Sequence, residues 1–365
     1  MSFHMTHHLA LFTVALLLLS HAFTIASVAD GRKPSMQLSP ENRSKVNRLL
    51  QEYRAAGSNL EKKREICQKV LAINPAAAPL MLKAVERDLQ PQLRKYDGKF
   101  QAQAAVMAKR KVGKIDFSAV MEMRKAVHDV QKLGDGFTKE VIVEKIDPVV
   151  QKLRAAFILD RSEVLDKSPD LRAERKKLEG LGQMWERCHA QLPPPAATEG
   201  QEVAAPASFE SYLQGEEELA VSLAIPQDPR TADVLAMNSR LAEKLDPEEA
   251  RAILALNVTR TLLGLPALAI DLRLCEAARD HARDMERLKF FSHESPVPGK
   301  TTPSDRAKLA GTTACSENIL FGTSNGNSVH EGWFHSPGHH RNQMGNASRV
   351  GVGRRGTYFT QMFGR

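Results

Sequence analysis

Residues 314–322 read ACSENILFG, an apolar run that commits a glutamate, Glu317, to what its Ile-Leu-Phe continuation marks as a buried strand. An ionised carboxylate in apolar surroundings is costly; it is tolerated when a cation, a metal or several hydrogen-bond donors meet it. The stretch therefore predicts a strand in a layered fold and a site whose other members come from elsewhere in the chain.

The segment from Pro247 onward holds half of the chain's 12 histidines: His281, His293, His330, His335, His339 and His340. It opens on Asp246-Pro247-Glu248-Glu249, where aspartate can cap, proline takes the first helical position and Glu249 stands three after the cap. A helix over 247–263, a helix over 272–288, the turn-rich SHESPVPGKTTPSD and a short helix precede the Glu317 strand. A helix near 329–333 and two strands, 350–354 and 358–364, follow, the strands joined at Arg355-Gly356-Thr357. That order predicts a layered α/β domain.

Seven short motifs occur in this segment in series: NVTRTLLGLPAL with Asn257 and Arg260, LCEAARDHARDM, FFSHESPVPG, SENILFG, WFHSPGHHRN, VGVG and YFTQMFG. Together they resemble bacterial members of the CAP superfamily, also called SCP-like domains, over about residues 246–365. That superfamily includes cysteine-rich secretory proteins, venom antigen 5 and plant pathogenesis-related proteins. The resemblance implies an α/β/α sandwich whose cleft collects His and Glu side chains. It carries over onto His293 of FSH, Glu317 of SEN and His339 of SPGH. In many eukaryotic relatives a second glutamate lies three after the tryptophan and a histidine precedes Tyr-Thr-Gln. Here Ser336 and Tyr358 stand in those places, so that four-residue cavity is not reproduced.

The trio His293, Glu317 and His339 has two chemical readings. Two imidazoles and a carboxylate can supply three ligands to zinc or another divalent ion with a position left for water. Alternatively, protonated imidazole pairs with the acid without any ion. Asn318, Ser336 and Asn342 complete the expected cleft; Asn342 and Asn318 are also suited to holding backbone. His281, beside Leu274, Ala278 and Met285, is expected in the core, as is Trp333, whereas His335 and His340 are expected at the rim. No Gly-x-Ser-x-Gly, Walker loop or zinc-protease helix motif occurs. Asn257-Val-Thr and Asn346-Ala-Ser are formal glycosylation acceptors.

The rest of the 365 residues sets the context. The composition, 42% hydrophobic and 26% charged, excludes wholesale disorder and a multi-span membrane protein. The net charge of +8 is interleaved with acidic residues along helical stretches, so nucleic acid is not the expected partner. Residues 9–19, LALFTVALLLL, with Ser27-Val28-Ala29 before Asp30, predict a signal peptide over 1–29. No Lys or Arg precedes the apolar run, which is about as long as the ~20 residues that span a bilayer, so an uncleaved anchor is the alternative. A secreted, periplasmic or cell-envelope location follows. Residues 38–190 read as a helical domain with breaks at Asn74-Pro75, Asp97-Gly98, Gly134-Asp135-Gly136 and Ser168-Pro169. The Pro/Ala-rich stretch 191–208 reads as a linker and 209–244 as a helical connector. Export permits disulfides among the four cysteines, and position suggests Cys67 with Cys188 and Cys275 with Cys315; four buried thiols are the alternative.

The expected function is an exported binding or interaction module that takes a lipid, cell-wall or other extracellular ligand in its His/Glu cleft. The helical region would be a scaffold or protein-partner surface. A secreted hydrolase using His293, Glu317 and His339, with or without a metal, is the competing expectation. Sequence sets neither the ligand nor the oligomeric state.

Overall fold

The computed structural model describes residues 38–192, 208–225 and 227–365. The predicted leader lies outside them, as does most of the predicted 191–208 linker. No helix among the described residues is long and apolar enough to cross a membrane.

Local chemistry starts the helices. In α1 (Pro40–Ala55), Ser39 Oγ accepts from Asn42 N and proline opens the first turn; Asn59 caps α2 (Leu60–Ile73). Helix α3 (Ala78–Val112) runs unbroken through Pro91 and through Asp97-Gly98, where a break was expected. Met81, Val85, Leu89, Leu93, Tyr96 and Phe100 line one buried face of it. That burial outweighs the roughly 1 kcal/mol that glycine and the ~3 kcal/mol that proline cost inside a helix. The chain continues through α4 (Phe117–Gln131), a single π-helical turn at Ile142–Ile146, α5 (Asp147–Phe157), α6 (Arg161–Asp166), α7 (Pro169–His189), α8 (Phe209–Leu223) and α9 (Pro229–Ala242).

The described residues form two compact units, 38–106 with 160–221, and 107–159 with 222–365. In the first, Glu217 is the polar centre: Tyr96 Oη, Arg175 Nε and Arg161 Nη1 donate to it at 2.5, 2.8 and 2.8 Å. In the second, Val120, Val127, Leu153 and Phe157 of α4 and α5 share one core with Leu256, Trp333 and Val352. Composition groups 38–190 together, whereas the cores group 107–159 with the carboxyl-terminal residues.

The carboxyl-terminal domain is an α/β/α sandwich built from α10 (Pro247–Leu262), β1 (Ala269–Ile270), α11 (Leu272–Leu288), α12 (Pro303–Leu309), β2 (Ser316–Phe321), α13 (Gly326–Phe334), α14 (Pro337–Met344), β3 (Arg349–Arg355) and β4 (Tyr358–Gly364). Asp246 and Glu249 form the predicted capping box of α10. The sheet order is β1-β3-β4-β2, with β1 parallel to β3 and the other pairs antiparallel. Helix α11 lies on one face. A side-chain carbon at Gly351 would strike Cys275 N and Leu274 C, and one at Gly353 would strike Arg279 N and Ala278 C. The VGVG motif thus lets a helix backbone rest on a strand. Val350 and Val352 face the opposite way, into the core with α10 and α13. The helix over 337–344 and the two-residue strand β1 are elements the sequence pattern did not predict.

Candidate functional site

β2 is an edge strand, and its alternation divides its polar residues between the two faces. Glu317 pairs across β4 with Met362, which packs against Leu274, Ala278 and Ala307, so the glutamate faces α11 and α12. Its side chain is only 1% exposed. Arg306, equally buried on α12, answers it: Nη2 lies 2.7 Å from Oε2. The same guanidinium binds the connecting loop, donating to Lys300 O, Thr301 O and His293 O at 2.8, 3.2 and 3.0 Å. A carboxylate and a guanidinium in this contact form a charge-assisted pair, and the loop carbonyls use most of the remaining donors.

The other carboxylate oxygen holds His293, whose Nδ1 stands 2.9 Å from Oε1. An ionised carboxylate only accepts hydrogen bonds, so Nδ1 carries the hydrogen and a neutral ring offers Nε2 as an acceptor. The ring is 49% exposed, and Nε2 has no partner among the described residues. Lys289 delivers the chain to this position by ending α11 at φ 57, a left-handed conformation usually given to glycine. Arg306 was missed in the sequence. Seven residues of helix are too few to show a stripe, although the rule that a buried acid recruits a cation pointed to an arginine or lysine nearby.

The remaining predicted residues lie around this pair in different roles. Asn342 Nδ2 donates to Asn318 Oδ1 at 2.8 Å and to the free-edge carbonyl of Glu317 at 3.2 Å. Asn318 Nδ2 donates to Gln361 Oε1 and to His339 O. These amides tie β2 to α14. The His339 ring makes no hydrogen bond to Glu317. Burial, and then the neighbouring His293 ring, hold its pKa below the ordinary imidazole value. The acid therefore meets the Arg306 cation and one hydrogen-bonding imidazole, rather than the two imidazoles expected from sequence. Ser336 precedes α14 without a side-chain capping bond.

The metal reading does not fit this geometry. Both oxygens of Glu317 are engaged, one by a permanent cation, and among the described residues no group of three or more His, Cys, Asp or Glu could hold an ion. Three other histidines of the domain have structural partners. His281 is fully buried as expected, with Nε2 on Ser292 O. His335 is half-buried against Asp147 Oδ2 at 2.7 Å. His340, expected at the rim, is sealed in the core: Nδ1 donates to Phe334 O at 2.8 Å and Nε2 lies 3.0 Å from Gln131 Nε2. Asn257 is also buried, with both amide atoms on the main chain of Leu268, so it is no glycosylation acceptor in the folded domain.

His340 and His330, which is buried against Thr259 Oγ1, set an acid limit on stability. Burial, with Arg154 and the neighbouring imidazoles, pushes His330 down to about 3; burial pushes His340 down to about 4. Unfolded imidazoles titrate near 6.5, so below that pH the unfolded chain binds protons that the folded domain refuses. Stability is flat above the ordinary value and falls toward about pH 4, by up to ~1.4 kcal/mol per pH unit for each ring. Urea midpoints measured from neutral to acid pH should show this decline, with a shallower slope in His340→Gln. A flat profile down to about pH 5 would contradict it.

Residues 253–363 match the model of the CAP family, described as the cysteine-rich secretory protein family. Over 140 residues the chain is 31% identical to "Uncharacterized protein YkwD" of Bacillus subtilis, covering 37% of this chain and 54% of the relative. It is 30% identical over 130 residues to "Uncharacterized membrane protein YlbC" of the same organism, covering 35% and 38%. The chain thus spans about half the length of one curated relative and less of the other. An extracellular protein containing an SCP domain from Bacillus anthracis, known from a crystal structure, is 28% identical over 38% of this chain and 44% of that one, with a TM-score of 0.32.

Proposed function

We propose that the CAP domain of residues 253–363 is the ligand-binding module of an exported protein, with the His293 ring as its polar contact and Glu317 and Arg306 as the buried pair that aims it. The observation that carries this reading is the pairing of Glu317: with one oxygen on Arg306 and the other on His293, the buried acid orients a neighbouring ring. Phe291, two residues before His293 in the chain, forms a row of rings with Phe321 and Tyr358, with centroids 6.4 and 4.4 Å apart. Phe291 and Phe321 are 52% and 54% exposed. A hydrogen-bonding imidazole and exposed aromatic faces in one domain suit a ligand with both an apolar face and polar groups, such as a lipid or a cell-wall sugar. The apolar leader in the sequence supports export.

The test is binding of the full chain to lipid and glycan panels. His293→Ala and Phe321→Ala should each weaken capture of the same ligand by about tenfold, the effect of losing ~1.4 kcal/mol of contact. If both variants, and His339→Ala, bind every ligand as the parent does, the cleft is not the binding site. A second reading, hydrolysis, is favoured by one feature: an imidazole aligned by a carboxylate with Nε2 free is the arrangement of a general base. Glu317→Gln would then abolish turnover of an ester, peptide or cell-wall substrate, and unchanged turnover would remove that reading.

A further inference from the structure

Outside the sandwich, two cysteines far apart in sequence lie side by side. Cys67 belongs to α2 and Cys188 to the last turn of α7, 121 residues later. Their sulfurs are 3.7 Å apart, and the residues are 1% and 0% exposed. Cys275 and Cys315, the other pair suggested by position, are not so placed: one is sealed in the core and the other is exposed at the start of β2.

We infer that Cys67 and Cys188 are joined by a disulfide when the chain folds in an oxidising compartment, while Cys275 and Cys315 remain thiols. Three alternatives for the adjacent sulfurs are weaker. A metal would need further ligands, and no group of three or more His, Cys, Asp or Glu able to hold one exists among the described residues. Thiol exchange with a substrate would need access that neither sulfur has. Two thiols sharing a weak S–H···S hydrogen bond at 3.7 Å are the third, and the alkylation pattern below separates them from a disulfide. Closing the 3.7 Å gap to the ~2.05 Å of a disulfide requires rotation of both side chains toward each other.

The chemistry balances with a disulfide-bearing oxidoreductase as oxidant. Its disulfide is attacked by one cysteine thiolate to give a mixed disulfide, which the second cysteine resolves. The two cysteines lose two protons and two electrons, and the oxidoreductase leaves as a dithiol. Because both sulfurs are buried in the folded unit, this exchange takes place before α2 and α7 close on each other. The bond clamps two helices across a long sequence separation, where chain-entropy stabilisation is large. The inference rests on the proposed export only in needing an oxidising compartment, and forced export makes the two separable.

The full chain is therefore produced behind a bacterial periplasmic leader, unfolded without reductant and alkylated. The parent protein should be lighter by two hydrogens than its reduced form and take up alkylating agent only at Cys275 and Cys315. Trypsin should release residues 65–69 linked to residues 188–230. Reduction should lower the Tm of the unit containing α2 and α7 by roughly 10 °C, and the Tm of Cys188→Ala should ignore reductant. Alkylation at all four cysteines, or a link between any other pair, would overturn the inference.

Discussion

Arg306→Met destabilises the CAP domain by about 3–5 kcal/mol, the cost of leaving a buried carboxylate without its cation. Glu317 is 1% exposed and cannot turn to water without moving β2, so the charge left behind must be protonated or dragged outward. The loop loses three hydrogen bonds in the same step, because Arg306 donates to the carbonyls of His293, Lys300 and Thr301. His293 should then lose its fixed orientation. Glu317→Gln introduced with Arg306→Met should recover part of the loss, since a neutral amide no longer needs a cation. Trp333, fully buried in this unit, reports the unfolding once Trp185, the chain's other tryptophan, is replaced by phenylalanine. A loss under about 1 kcal/mol would place Arg306 among surface ion pairs and contradict the site described above.

Gly353→Val costs the domain ~3 kcal/mol or more and prevents α11 from seating. The new side chain would meet the main chain of Arg279 and Ala278, and backbone in the middle of a helix cannot step aside as a flexible side chain can. Moving the helix instead would pull Leu274 and Ala278 from Met362 and reopen the layer that encloses Glu317. Gly338→Val, in α14 with no neighbour near its β-position, is the control and should cost no more than ordinary helix propensity and packing allow. Equal effects of the two changes in urea unfolding would show that close approach is not what the VGVG glycines serve.

The parts of the fold read most directly from sequence are those whose signal is local. Asp246-Pro247-Glu248-Glu249 announces a capping box, and the structure has it. The glutamate in an apolar strand announces a buried acid that needs partners, and β2 carries Glu317 buried with His293 bonded to it. Features decided by packing were not legible. Helix α3 passes through Pro91 and Asp97-Gly98 because its buried face outweighs local breakers. His340 is core rather than rim because Phe334 O and Gln131 satisfy both ring nitrogens, and neither partner is visible in the GHHRN stretch. Arg306 was hidden for the same reason: its partner lies on a strand that only the sheet brings beside α12.

Long-range proton–nitrogen NMR correlation on the His293 ring tests the central claim most directly. With Glu317 fixed as an acceptor by Arg306, the neutral ring should carry its hydrogen on Nδ1 and leave Nε2 bare, the reverse of the tautomer favoured by free histidine, and Arg306→Met should release that preference. A neutral His293 with its hydrogen on Nε2 in the parent protein would mean that the acid does not hold the ring, and would contradict the account.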